Sequence, residues 1–190
     1  MRTVLLATCL LLPSSLTVAA DAIDPARIVS AATGDWDKDD ASDLVLLVAP
    51  VEAGGESNAV YLYLTNDVGR LVLRSLIPDK VWGQFDVYGQ APSVNALPNG
   101  SIQITSHNDA IGRNRWEQTL TIAYRSSDFV VAGYTYWSYD TLDLDNTMRC
   151  DFNVLSGKGT ANGKPIRAKG DTILLKDWSD EIGQRACDAK

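Results

Sequence analysis

Positions 34 to 48 combine an aspartate-rich loop with an apolar run, and they read Gly34-Asp35-Trp36-Asp37-Lys38-Asp39-Asp40-Ala41-Ser42-Asp43-Leu44-Val45-Leu46-Leu47-Val48. The run of leucine and valine after the loop is too short for a typical helix and is typical of a buried β-strand. A second β-type run, 27 to 32, ends just before the loop. The loop is therefore predicted to connect two antiparallel strands.

The rest of the chain continues this pattern of short β-type runs separated by turn residues. Hairpin turns are predicted at 66–69, 98–100 and 126–128, where Asn, Gly, Ser or Asp accept turn geometry, and a longer loop is predicted at 157–163. The fold class is mainly β, with antiparallel hairpins forming a compact sheet, sandwich or partial-propeller-like domain. One β-rich domain is expected over 21–190. The candidate strands are 27–32, 44–49, 59–65, 71–76, 93–97, 101–106, 116–125, 129–139, 148–155 and 172–175.

The aspartates of the loop have the spacing of a calcium-binding loop. Acidic residues recur at relative positions 1, 3, 5 and 9, which are Asp35, Asp37, Asp39 and Asp43, and the carbonyl of Ala41 falls at position 7. Ca²⁺ takes six to eight oxygen ligands, and alternate residues of a curled loop can point inward together. An EF-hand loop has a bidentate Glu at position 12, whereas position 12 of this loop belongs to the predicted strand. The alternative is an acidic turn that simply faces water.

The loop resembles the FG-GAP or VCBS-type calcium-binding repeat, whose hairpin carries Gly-Asp-X-Asp-X-Asp-Gly-X-X-Asp before an apolar strand. The matching positions are Gly34, Asp35, Asp37, Asp39, Asp43 and Leu44. The resemblance implies that Asp35, Asp37, Asp39 and Asp43 are calcium ligands. Asp40 stands where the repeat usually has glycine, a position that is often left-handed. The chain has one good copy, as in secreted bacterial proteins with a single module, so a full propeller is not expected.

The first 20 residues are predicted to be a secretory signal peptide. Arg2 precedes the apolar run 4–12, and Ala20 ends a small-residue cleavage site. A cut after Ala22 is the next choice, and a lipoprotein cleavage at Cys9 is a further alternative. No later stretch has the apolar length of a transmembrane helix. The expected localisation is periplasmic or secreted.

Removal of this segment would leave Cys150 and Cys187 as the only cysteines of a chain in an oxidising compartment. A disulfide between them is therefore predicted. It would close a loop of about 38 residues and contribute roughly 4 kcal/mol in the chain-entropy model. A redox-active pair would be expected to have Cys-X-X-Cys spacing, which is absent.

Charge and histidine content exclude several classes of function. The formal net charge is −7 and the sequence pI is about 4.6, so nucleic acid is not an expected partner, whereas cations are favoured. With a single histidine the chain has no multi-histidine zinc site. A Ser-His-Asp or Cys-His mechanism would have to use His107.

The most polar connection between two predicted strands is a candidate ligand-binding region. It contains His107, Asp109, Arg113, Arg115 and Trp116, which bring imidazole, carboxylate and guanidinium groups together in sequence. The alternative is an exposed polar loop beside a packed tryptophan. The aromatic run at 134, 136, 137 and 139 is explained by core packing, with a ligand platform as the other interpretation.

These features predict an exported calcium-binding β domain that acts as a non-catalytic binding protein in the cell envelope. Its expected partner is a protein or glycan, and one form of this role is an inhibitor or immunity-type protein. One alternative is a hydrolase of envelope polymers with a site near His107 and Arg115. Another is a structural component of the envelope.

Overall fold

A computed structural model describes residues 22–52 and 54–188. The first four strands form an antiparallel four-stranded sheet in chain order. The loop at 35–42 joins the first two strands, as the sequence predicts. After a 3-10 turn at Pro25–Arg27, the strands are β1 (Ile28–Gly34), β2 (Asp43–Val48), β3 (Ser57–Thr65) and β4 (Leu71–Trp82).

The remaining strands form an eight-stranded antiparallel sheet. Its order is β11-β10-β9-β8-β7-β6-β5, and β12 pairs with β8 outside this path. The strands are β5 (Ser93–Ala96), β6 (Ile102–Asn108), β7 (Asn114–Arg125), β8 (Asp128–Asp140), β9 (Asp143–Asn153), β10 (Lys158–Ala161), β11 (Lys164–Arg167) and β12 (Ile173–Leu174).

One hydrophobic core contains residues of both sheets. Side chains alternate between the two faces of a strand, so every second residue of β6 and of the middle of β7 enters the core, and on β8 a register shift after Val131 displaces the alternation by one residue. On the four-stranded sheet the contributing residues include Val45, Leu47, Val60 and Leu62, and on the larger sheet Ile102, Ile104, Leu120 and Ile122. Burial of these aliphatic side chains is the main stabilising term for such a fold.

The C-terminal segment packs over another part of the larger sheet. A 3-10 turn at Leu175–Asp177 is followed by α1 (Asp180–Cys187). A Cβ at Gly183 would lie 2.7 Å from ring atoms of Tyr134, so the helix rests directly on that ring. Cys187 forms the predicted disulfide with Cys150, with 5.8 Å between the Cα atoms. None of the helices in the described residues is suited to crossing a membrane.

β4 is an edge strand with two irregularities in its pairing with β3. The register shifts between Asn58 and Val60 and again between Leu62 and Tyr63. At the first shift, residues 78–80 of β4 lie outside the regular ladder, and Asp79 has a φ of 48°. Lys80 Nζ donates a hydrogen bond to the carbonyl of Trp178 at 2.7 Å. The irregular part of β4 is thereby tied to the C-terminal segment.

The mainly β fold class is confirmed, with 55% of the described residues in strands and 8% helical. Each of the ten predicted strands overlaps an observed one, and the three predicted hairpin turns connect β3 to β4, β5 to β6 and β7 to β8. The prediction of a loop at 157–163 is wrong, because β10 occupies Lys158–Ala161. The predicted signal peptide and Cys9 lie in residues 1–21, outside the described residues.

Candidate functional site

In the loop between β1 and β2, the apolar and the acidic side chains differ in burial. Trp36 enters the core and is 2% exposed, whereas Asp35 and Asp37 are half-buried and Asp39 is exposed. A Cβ at Gly34 would lie 2.4 Å from two ring atoms of Trp36, so the glycine makes room for the indole. The buried tryptophan anchors the loop and leaves its aspartates on the outer side.

Three of the predicted ligands lie together. Asp35, Asp37 and Asp39 each place one carboxylate oxygen within 4.8 Å of the other two. Backbone N–H groups order the loop around them. Asp35 accepts hydrogen bonds from the N–H of Asp39 at 3.1 Å and from that of Asp40 at 3.2 Å, and Asp39 accepts one from the N–H of Ala41 at 2.8 Å. Ala41 therefore contacts the cluster through its N–H.

Asp37 has an oxygen without a partner. Its Oδ1 is buried and has no hydrogen-bond partner among the described residues. Desolvation raises the pKa of Asp37 above the usual range, and the charges of Asp43, Asp39 and Asp35 raise it further. A buried polar atom without a partner is costly. A divalent cation would satisfy this oxygen and neutralise the repulsion, so Asp35, Asp37 and Asp39 have the chemistry to hold one.

Asp43 has a different environment from the other aspartates. It is fully buried, and its two oxygens accept hydrogen bonds from the backbone N–H of Trp36 at 2.8 Å and of Thr65 at 2.9 Å. It is not among the three residues whose oxygens lie within 4.8 Å of one another. In this arrangement Asp43 joins the loop to the end of β3. The spacing of the aspartates in the sequence did not predict this structural role of Asp43.

Two residues of the loop have left-handed backbone conformations. Lys38 has a φ of 65° and Asp40 a φ of 69°. Asp40 stands where the resembling repeat usually has glycine, and aspartate adopts this conformation more readily than most residues. The substitution of aspartate for glycine is therefore compatible with the curled loop.

The polar connection predicted as a ligand-binding region does not form one cluster. His107 Nε2 lies 3.7 Å from a carboxylate oxygen of Asp109. Arg113 instead pairs with Asp140, at 2.5 Å between Nη2 and Oδ2, and this hydrogen-bonded pairing lowers the pKa of Asp140. Arg115 donates to the carbonyl of Gly112. The two arginines are thus used within the local structure.

Trp116 lies on the other face of the sheet from its neighbours in sequence. Its ring centroid is 5.0 Å from that of Trp82 on β4, so it contacts the four-stranded sheet through a pair of half-buried rings. Arg115, one position earlier on β7, projects from the opposite face, as side-chain alternation requires. Trp116 and Arg115 therefore cannot contribute side chains to the same side of a ligand.

The aromatic run on β8 is also divided between the two faces. Tyr134 is completely buried and Tyr136 packs against the core, as the core-packing interpretation expects. Trp137 and Tyr139 are half-buried and lie on the opposite face, with ring centroids 5.7 Å apart and an interplanar angle of 6°. The core-packing interpretation is therefore wrong for Trp137 and Tyr139, and the odd and even positions of the run are the signal that could have separated the two pairs.

No family model, no curated protein and no solved structure matches the chain. The resemblance of the loop to the FG-GAP or VCBS-type repeat therefore stays a hypothesis that rests on residues 34–44.

Proposed function

We propose that this protein is an exported calcium-binding module with a non-catalytic binding role in the cell envelope. The observation that carries the proposal is the group of three carboxylates at Asp35, Asp37 and Asp39, in which a buried oxygen of Asp37 has no partner among the described residues. The resemblance to calcium-loop repeats adds to it. Oxygen-only donors of this kind suit a hard cation.

Asp35, Asp37 and Asp39 would hold calcium through their side chains. The ion would supply positive charge that offsets the repulsion among the carboxylates and the desolvation of Asp37. Because the unfolded chain lacks this arrangement, binding of the ion would stabilise the folded state. Asp43 would contribute indirectly, since it already connects the loop to β3 through two backbone N–H groups.

The binding role is supported by the way polar groups near His107 are used. Arg113 is paired with Asp140, and Arg115 donates to a backbone carbonyl, so both stabilise the local chain. A general acid or base needs a partner that tunes its pKa and holds it beside a substrate. The hydrolase alternative is left with His107 and Asp109, 3.7 Å apart, without either arginine to hold a substrate beside them.

Calcium-dependent thermal unfolding tests the metal site. At a calcium concentration about 100 times the Kd, the stabilisation is about 2.7 kcal/mol, which raises the Tm by roughly 5–10 °C for a domain of this size. Asp37→Asn should abolish the shift. It should also leave the Tm in chelator unchanged or higher, because it removes a charge that its neighbours oppose.

Two variants serve as controls in the same experiment. Asp40→Asn removes a charge from the same loop and retains a side chain that tolerates the left-handed conformation, so the calcium shift should persist. Asp43→Asn should lower the Tm in chelator as well as in calcium, because an amide cannot accept both backbone hydrogen bonds equally well. Absence of any calcium shift in the wild type, or an equal shift in Asp37→Asn, would reject the metal site.

Export has a separate test. The disulfide supports an oxidising compartment, since such bonds persist outside the cytosol. When the full-length gene is expressed in a bacterium, the periplasmic or secreted product should begin at Asp21, or at Ile23 if the cut follows Ala22. Recovery of the chain only from the cytoplasm, with its first 20 residues still attached, would contradict export.

A further inference from the structure

The outer face of the eight-stranded sheet is polar across its central strands. Residues at alternate positions of β6 to β9 face away from the core, and their registers place them in rows that cross the strands. One row contains His107, Glu117, Trp137 and Arg149; the next contains Thr105, Thr119, Thr135 and Asp151. These rows contain hydroxyl, charged and aromatic side chains and no aliphatic ones.

Two aromatic rings stand on this hydrophilic face. Trp137 and Tyr139 are only half-buried, and their rings are parallel to within 6°. Rings of this size would stabilise the fold more if they were buried in the core than they do on this outer face. An aromatic ring on a polar surface that is open to solvent is a feature of recognition sites, in which a ring packs against the apolar part of a ligand.

A depression of about 310 Å³ lies beside Trp137, over β8, β9 and β10. Thr135, Arg149, Asp151 and Thr160 also line it. Among the described residues these four side chains have neither a hydrogen-bond partner nor an ion-pair partner. The depression therefore offers one aromatic surface, two hydroxyls, one guanidinium and one carboxylate, all free to contact a ligand.

The chemistry of this lining selects a neutral molecule with many hydroxyl groups. Arg149 and Asp151 contribute one positive and one negative charge, so the site has no net preference for an anion or a cation. Planar guanidinium and carboxylate groups can each make two hydrogen bonds to adjacent hydroxyls. The electron-rich face of the indole attracts weakly polarised C–H groups. A sugar ring presents adjacent hydroxyls at its edge and C–H groups on its face.

The threonine row extends this chemistry across the sheet. Thr105, Thr119, Thr135, Asp151 and Thr160 are paired in register on five neighbouring strands. At about 4.8 Å between strands the row is about 19 Å long. The hydroxyls of Thr105 and Thr119 are 3.2 Å apart and can donate or accept. This length fits several linked sugar units lying across the strands.

We propose that the depression beside Trp137 is a binding subsite for one sugar of a neutral glycan chain, which continues along the threonine row. This proposal rests on the proposed binding function and supplies the chemical class of its partner. Trp137 contacts the face of the sugar ring, Arg149 and Asp151 bind its hydroxyls, and the threonines bind the following units.

Titration of the folded, calcium-loaded protein with neutral hexasaccharides tests the proposal. The probes are the β-1,4-linked hexamers of glucose and of N-acetylglucosamine and the α-1,4-linked hexamer of glucose, followed by calorimetry. At least one should bind saturably, and the corresponding disaccharide should bind at least about tenfold more weakly. Trp137→Ala should weaken binding of the hexamer by at least about tenfold, and Thr135→Val, which keeps the shape and strand preference, by a few-fold.

The matched control is Tyr61→Ala, which removes an aromatic ring from the outer face of the other sheet and should leave glycan affinity unchanged. The calcium shift in Tm of Trp137→Ala should equal that of the wild type, which shows that the variant is folded. Absence of saturable binding by all three hexamers, or equal affinity of Trp137→Ala and wild type, would overturn the glycan site. If the calcium shift persists in that case, only the glycan proposal fails; loss of the calcium shift with retained glycan binding rejects only the calcium site.

Discussion

Two single residues, Gly34 and Trp36, hold the aspartate loop in place. The indole fills the space beside the glycine and anchors a loop that otherwise carries acidic side chains. Sequence spacing predicted the group of Asp35, Asp37 and Asp39, because alternate residues of a curled loop point the same way. It did not predict the tryptophan anchor, since an indole between two aspartates has no spacing signature of its own.

Gly34→Ala should destabilise the protein by about 1–3 kcal/mol, because its Cβ would overlap the buried ring of Trp36. Denaturant unfolding in chelator measures this cost without a contribution from the metal site. Gly133→Ala is the control in another strand, since its Cβ would lie 3.4 Å from Thr121, a normal contact distance. An equal effect of the two substitutions would contradict the packing role assigned to Gly34.

The disulfide links two secondary-structure elements, because it joins α1 covalently to β9. A helix of eight residues is not stable alone in water, and here it is held by Tyr134 beneath it and by Cys150 beside it. The cysteine pairing could be predicted from sequence because only two cysteines follow the expected signal peptide. The helix could not, since eight residues give little periodic signal.

Replacing both cysteines by serine should lower the free energy of unfolding by about 4 kcal/mol in the chain-entropy model. Urea unfolding of the double variant and of the reduced wild type should give the same loss, because both remove the same crosslink. Near-wild-type stability of the double variant would show that α1 is held by its packing alone.

The hairpin of β10 and β11 is the part of the larger sheet that the strand predictions missed. Asn162 and Gly163 have φ values of 49° and 73°, the geometry of a tight two-residue hairpin turn. The Asn-Gly pair is a usable signal of this turn, but the short flanking runs contain few large apolar residues, so their pattern predicts a loop. Ile166 is the only buried residue of these two strands, so the segment lacks the repeated apolar positions that reveal a strand.

In the whole molecule, both sheets contribute side chains to one core. Strands in the middle of a sheet should therefore resist local unfolding more than strands at its edges. β2 and β7 have neighbours on both sides, and the side chains of Val45, Leu47, Val48 and Ile122 are fully buried. The sequence predicted these strands individually. It could not predict how the two sheets pack or that β12 returns to β8, because no local pattern specifies a contact between distant segments.

Amide hydrogen exchange should be slowest in β2 and β7 and faster in β4 and β11, which lie at the edges of the sheets. Mass spectrometry of exchanged peptides measures this order. After reduction of the disulfide, exchange should accelerate most in α1, whereas in β2 it should accelerate only as far as the global loss of stability requires. Equal protection of edge and central strands would contradict the arrangement of the core.

The irregular course of β4 affects how copies of the protein meet. A regular outer strand offers an unbroken series of hydrogen-bonding groups to any extended chain that approaches it. Along β4 that series is interrupted at residues 78–80, where Pro78 has no N–H to offer and Lys80 turns toward the C-terminal segment. We therefore expect that an approaching chain cannot form a continuous ladder along the whole length of β4.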